Sequence, residues 1–368
     1  MNAQLTSIPD SVEEITPALL SALVSEMHPG ASVEAVEVLE AREKGKMAST
    51  AGRVRLRLRY GAGSPALPER VIVKMVLGEP SVARFLYETE VQMYRRVLPR
   101  TKVERPLCLG AAYDASSGRF MVVLEDLAVR DAFFPTVLDP ALTPGQMARL
   151  LDVLAELHAQ YWEATDRLGE ERWLGTLMEG SQADFFNRGA AANIDALVRG
   201  SPYRQDLITR VGRSPQALWD GVKAVHAHQA ARLPQTLVHG DTGAHNSYHL
   251  PDGRCGFLDW QFSSRAAWPR DVHYTVCTGL SVADRRTHER ALVQHYLQRL
   301  ADFGVQSPPD IDTAMVEFGR AIIWGFTIGW LIVPERNYGM EIVSANLERL
   351  KAAMDDHDTL RLADEVMA

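Results

Sequence analysis

The stretch from Leu237 to Gln261 carries three side chains that can act together on a phosphate: Asp241 in His239-Gly240-Asp241, then Asn246, then Asp259 in Asp259-Trp260-Gln261. Phosphoryl transfer asks little covalent chemistry of a protein, which mainly positions groups and offsets charge. One carboxylate must accept the proton of an attacking hydroxyl. A second carboxylate and an amide oxygen must hold Mg²⁺, a hard cation that prefers oxygen. Asp241 suits the first task, and Asn246 with Asp259 the second. Alone, His239-Gly240-Asp241 reads equally as a turn after a strand, because Asp and Gly favour turns. It is the addition of Asn246 and Asp259 that points to chemistry. His239, His245 and His249 offer no defined fourth ligand for a transition metal, and His239 reads as a residue that fixes the loop by hydrogen bonds.

These groups need elements to hold them. The Pro251-Asp252-Gly253 turn between two short strands predicts a hairpin, which would bring the loop of Asp241 and Asn246 to the strand end carrying Asp259. Upstream, Val71 to Val76 is an apolar, β-branched run whose one charged member, Lys74, cannot be buried without a partner. From Arg53 to Tyr60 the chain alternates strictly, so Val54, Leu56, Leu58 and Tyr60 are expected on a core face; the four arginines read as a solvated strand face rather than an anion-binding stripe. A helix opened by Pro80-Ser81 and closed by Pro99, and strands over 103–109 and 119–124, complete an α+β unit.

Beyond that unit the period changes. Thr143-Pro144 caps a helix with Met147, Leu150, Leu151, Leu154, Leu157 and Tyr161 on one face, and helical patterns follow over 204–232, 282–303, 312–333 and 340–364. The expected organisation is therefore two lobes, 1–126 and 127–368, with a ligand cleft between them. Trp268, Tyr274, Trp324, Trp330 and Tyr338 are candidates for an acceptor pocket, but aromatic residues in a helical lobe read first as core.

The net charge of -8 and pI near 5.8 argue against a broad nucleic-acid surface, which needs clustered Lys and Arg. Three cysteines without CxxC spacing indicate neither a disulfide framework nor a zinc site. Met1 to Asp10 shows no secretory pattern, and the apolar run Ala321 to Val333 is shorter than the roughly 20 residues of a membrane span, so no membrane partner and a cytoplasmic location are expected. Gly45-Lys46-Met47 is not a P-loop, and Gly279-Leu280-Ser281-Val282-Ala283 only approximates a nucleophile elbow.

The His239 to Gln261 block resembles the aminoglycoside phosphotransferase and choline-kinase-like superfamily, and Asp259-Trp260-Gln261 with Glu125-Asp126-Leu127 looks most like its ecdysteroid-kinase-like branch. The resemblance runs from about residue 33 to 350. It implies a bilobal protein-kinase-like fold, with an antiparallel-sheet N-lobe holding one main helix, a mostly helical C-lobe, and Mg–ATP in the cleft.

Carried over by position, the resemblance makes Lys74 the lysine on the α and β phosphates and Glu90 its helix partner, with Glu88 second. Glu125, Asp126 and Leu127 become the hinge at adenine, His158 lies on a helix supporting the catalytic loop, and Asp271 braces that loop. The nucleotide loop should lie near residues 44–49, yet only Gly45 and Gly52 are at hand there, which leaves Ser49 and Thr50 to cover the phosphates. The implied activity is transfer of the γ-phosphate of ATP to a hydroxyl of a small molecule. A catalytically silent nucleotide-binding module is the alternative. A protein kinase fits less well, because no Ala-Pro-Glu segment follows Asp259.

Overall fold

The computed structural model describes residues 7–42, 51–80, 83–136, 138, 142–168 and 172–367. Helix α1 (Pro17–Met27) is capped by the Thr16 side chain, with Pro17 at a position where no backbone donor is needed. It is followed by β1 (Val33–Arg42), β2 (Gly52–Tyr60), β3 (Arg70–Met75), α2 (Phe85–Gln92), β4 (Cys108–Asp114) and β5 (Arg119–Glu125). The strands form one antiparallel sheet in the order β1-β2-β3-β5-β4.

The alternation of β2 decides the sheet's two faces. Val54, Leu56 and Leu58 are buried with Val71, Val73 and Met75 against Leu20, Leu23 and Val24 of α1. The opposite face carries the arginines, three of which pair across to β1: Arg55 with Glu40, Arg57 with Glu37, Arg59 with Glu34. Such cross-strand pairs help set the register. On this second face Phe120 stacks on Tyr87 of α2, with ring centroids 4.4 Å apart.

Two local expectations need correction. The described helix begins at Phe85, later than expected from Pro80, while Ser81 lies outside the described residues, and after Gln92 it loosens into a π-helical turn over Met93–Val97. The fourth strand runs over Cys108–Asp114, not 103–109, because Arg105-Pro106 precedes it and Pro cannot donate to a ladder.

The rest is mostly helical: α3 (Pro144–Tyr161), α4 (Ser181–Arg199), α5 (Pro202–Val211) and α6 (Pro215–Arg232) precede the short strands β6 (Gln235–Val238), β7 (Ser247–His249), β8 (Cys255–Phe257) and β9 (Ser264–Ala267). Then come α7 (Pro269–Gly279), α8 (Val282–Asp302), α9 (Ile311–Trp324), α10 (Glu335–Tyr338), α11 (Met340–Asp356) and α12 (Thr359–Met367). The expected helix 204–232 is two helices, since Gly212 takes the left-handed conformation that ends α5. The pattern over 340–364 is likewise broken, at Asp358 with φ of 52°.

Thr143 and Gln146 form a reciprocal capping box at the start of α3, whose buried face packs against α8 and β6. No helix among the described residues is long and apolar enough to cross a membrane. The chain is α+β, with an antiparallel five-stranded sheet in its N-terminal part and a mostly helical remainder.

Candidate active site

β6 pairs with β9, and β7 with β8, so that the segments on either side of residues 239–246 and 258–263 are anchored to one another. Gly240 sits between them at φ of 83°, and a Cβ there would lie 2.1 Å from the Phe262 carbonyl oxygen. Only glycine fits.

Asp271, in the first turn of α7, fixes the loop. Its carboxylate accepts the backbone N–H of His239 at 2.7 Å and of Gly240 at 2.9 Å, and lies 3.3 Å from Nε2 of His158 on α3. Burial works to raise this carboxyl, but the hydrogen bond and charge of His158 together with the loop N–H outweigh it, and the group is held below its ordinary value. His239 then ties the loop to the strand end: its Nδ1 accepts from the Asp241 N–H at 3.2 Å, so Nε2 carries the proton donated to the Leu258 carbonyl at 2.9 Å.

Asp241 and Asn246 meet directly. The Asn246 Nδ2 donates to Asp241 Oδ2 at 2.9 Å and to the Asp241 carbonyl at 3.0 Å. The Asn246 carbonyl in turn accepts from the Leu258 N–H at 2.7 Å, which sets the next residue, Asp259. Burial, and next the charge of Asp259, push the Asp241 carboxyl up to about 7 against the pull of Asn246.

Asp259 holds φ 64° and ψ 62°, a left-handed conformation that costs a non-glycine residue about 1–3 kcal/mol. Its Oδ1 accepts from Lys74 Nζ at 2.8 Å, and Lys74 lies 2.7 Å from Glu90 of α2. One buried ammonium thus faces two carboxylates. Burial would lower the lysine, yet Asp259 and Glu90 hold it above its ordinary value. Burial would raise Asp259, but Lys74 keeps it below the usual range, so Asp259 stays ionised. Glu90 is held above its ordinary value, because burial outweighs the pull of Lys74.

The residues fit a magnesium ion. The Asn246 amide nitrogen is committed to Asp241, which leaves its oxygen for a ligand, and the ionised Asp259 supplies a second hard donor. No group of three or more His, Cys, Asp or Glu side chains able to hold a metal occurs among the described residues. Mg²⁺ needs none, because phosphate oxygens and water complete its shell.

Glu125 and Asp126 use their side chains structurally. The first accepts from the Leu107 N–H at 2.8 Å and from Arg130 at 2.9 Å; the second caps Ala128 and lies 3.0 Å from Arg55 Nε. Leu127 packs with Tyr248 and Leu250. Ser49 and Thr50 lie outside the described residues.

One feature escaped the sequence, and one was read first as core. Arg53 is paired directly opposite Lys74 in the β2–β3 register, so both side chains share the sheet face on which Lys74 meets Asp259. Its charge bears on Lys74, Glu90 and Asp259. The second is a cavity of about 730 Å³ that reaches Asp241 and is lined by Phe186, Tyr274, Trp324, Trp330 and Tyr338. Asp241 and Arg336 are its only charged lining residues among those described. Gly329 matters here, since a Cβ would stand 2.7 Å from the Tyr274 ring. Trp268 stacks on Tyr296 instead and takes no part.

A model of the ecdysteroid kinase-like family matches residues 44–305, most of the chain. The chain belongs to the ecdysteroid kinase-like family. An ethanolamine kinase of Plasmodium vivax superposes with a TM-score of 0.51 at 10% identity, covering 95% of this chain and 90% of that one, which shows a shared kinase-like fold. A choline kinase, LicA, of Streptococcus pneumoniae gives 0.48 at 13% identity over 87% and 94% of the two chains. An uncharacterized kinase-like protein of Caenorhabditis elegans is 24% identical over 161 residues, 43% of this family member and 41% of the relative. The match therefore spans about two fifths of the length of the curated relative.

Proposed function

We propose that the chain transfers the γ-phosphoryl group of ATP to a hydroxyl of a small molecule. The observation that carries this reading is the convergence of Asp241, Asn246 and Asp259 beside the Lys74–Glu90 pair. In it, the acceptor oxygen forms a bond to the γ-phosphorus, the bond to the β–γ bridging oxygen breaks to release ADP, and the hydroxyl proton passes to Asp241. Lys74, oriented by Glu90, and Arg53 on the same sheet face meet the phosphates, while the backbone of Glu125 to Leu127 meets adenine. Asn246 and Asp259 would hold Mg²⁺, which when bound offsets phosphate charge. His239 and Asp271 position the loop.

The cavity chooses the acceptor. Its lining is aromatic and nearly uncharged, Arg336 would repel a polycation, and the Arg270 guanidinium already stacks 4.4 Å from the Trp324 ring. These features favour a neutral, largely apolar alcohol over an aminoglycoside. The test is a mass-spectrometric screen for phosphorylated products over apolar alcohols, amino alcohols and aminoglycosides with Mg–ATP. Product from apolar alcohols is expected. Turnover confined to polycations, or ATP bound with no acceptor phosphorylated across the panel, would overturn the reading.

A further inference from the structure

A second cavity, of about 820 Å³, lies behind β4 and the π-helical turn that follows α2, and shares no lining residue with the one at Asp241. The side chains of successive residues part here. Glu125 lines this cavity, whereas Asp126 lies against Arg55 of β2.

Its charges do not cancel. Glu26 is taken by Arg95, Glu125 by Arg130, and Glu104 by both Arg130 and Arg254. Lys102 and Arg105 also line the cavity, and neither pairs with a carboxylate among the described residues. Among the described residues the part-buried Arg105 guanidinium has only backbone acceptors, the carbonyls of Thr101 and Val103 at 3.3 and 3.0 Å. Tyr94 lines the same cavity, is 1% exposed, and its hydroxyl has no hydrogen-bond partner among the described residues. A buried hydroxyl without a partner is costly, and a guanidinium fork without a carboxylate is an unfilled anion site.

We propose that this cavity binds a small organic anion carrying two or more carboxylate or phosphate groups, one of them received by Arg105 and the Tyr94 hydroxyl. The surplus positive charge selects a multivalent anion, and the volume admits a metabolite rather than a lone ion. The site adjoins both ends of the nucleotide apparatus, because Tyr94 lies one turn beyond Glu90 and Arg130 grips Glu125.

The test is calorimetric titration of citrate, and separately of inorganic phosphate, into the full chain without divalent cations, with and without saturating ADP. Saturable citrate binding is expected, unaffected by ADP. Arg105→Gln should weaken it about tenfold or more, the worth of one charge-assisted hydrogen bond. Tyr94→Phe, which removes only a hydroxyl without a bond among the described residues, should weaken it about threefold while leaving the melting temperature in place. Phosphate binding more weakly than citrate at the same site would support the multivalent preference. No saturable binding of either probe, equal affinity in both variants, or displacement by ADP would overturn the proposal.

Discussion

The Lys74 ammonium lies 2.8 Å from the Asp259 carboxylate, joining positions 185 apart in the chain and linking the sheet to the loop of the helical part. Because Glu90 holds the other side of the same ammonium at 2.7 Å, removing Lys74 would strand two buried carboxylates. An orphaned buried charge costs about 3–5 kcal/mol. Burial already raises Glu90 and, without Lys74, would raise Asp259 as well, so both can take protons; Lys74→Met should lose less than that in denaturant unfolding, with the deficit growing as pH rises. ATP affinity should fall at every pH.

Asp241 supplies a pH test of stability that needs no substrate. Its folded value is raised to about 7, so between its unfolded value near 4 and about 7 the folded state holds more protons than the unfolded one. Stability from this group is full below pH 4 and is lost as pH rises through 7. Asp241→Asn removes that loss. Melting curves should therefore show the variant gaining on the wild type as pH climbs from 4 to 7, and a constant difference would contradict the assignment.

Arg53 should act on nucleotide binding rather than on the chemical step. Arg53→Ala is expected to raise the KM for ATP about tenfold, as loss of one charge-assisted contact does, with kcat changed less than threefold. Steady-state kinetics at fixed Mg²⁺ would show the split. A fall in kcat alone would place Arg53 elsewhere.

Gly240→Ala tests the loop itself. A left-handed alanine costs about 1–3 kcal/mol before the overlap with the Phe262 carbonyl is counted. The variant should melt several degrees lower and lose turnover, whereas Gly253→Ala, with the same sign of φ but open space around its Cβ position, should lose stability alone. Equal activity in the two variants would remove the argument for close approach.

Much of the fold was legible because period carries it. The alternation of residues 53–60 marked the buried face of β2, and the Pro251-Asp252-Gly253 turn joined β7 to β8 as expected. The placement of Arg53 was not legible, since four alternating arginines look alike until register sets one opposite Lys74. The aromatic residues of α7 and α9 read as core because helical spacing cannot separate a core face from a cavity wall. Tyr274 and Trp324 are buried and line the cavity at once. The start of α2 was misplaced because Pro80-Ser81 looks like a helix opening, while the helix begins at Phe85 without a side-chain cap.

In the proposed reaction Asn246 and Asp259 would hold a magnesium-bound triphosphate beside Asp241. The most direct measurement is ATP affinity by calorimetry with and without Mg²⁺, in the wild type, Asp241→Asn and Asp259→Asn. Mg²⁺ is expected to tighten ATP binding about tenfold or more in the wild type and in Asp241→Asn, and Asp259→Asn to lose this gain. ATP binding that is indifferent to Mg²⁺ in the wild type, or a full magnesium gain in Asp259→Asn, would contradict it.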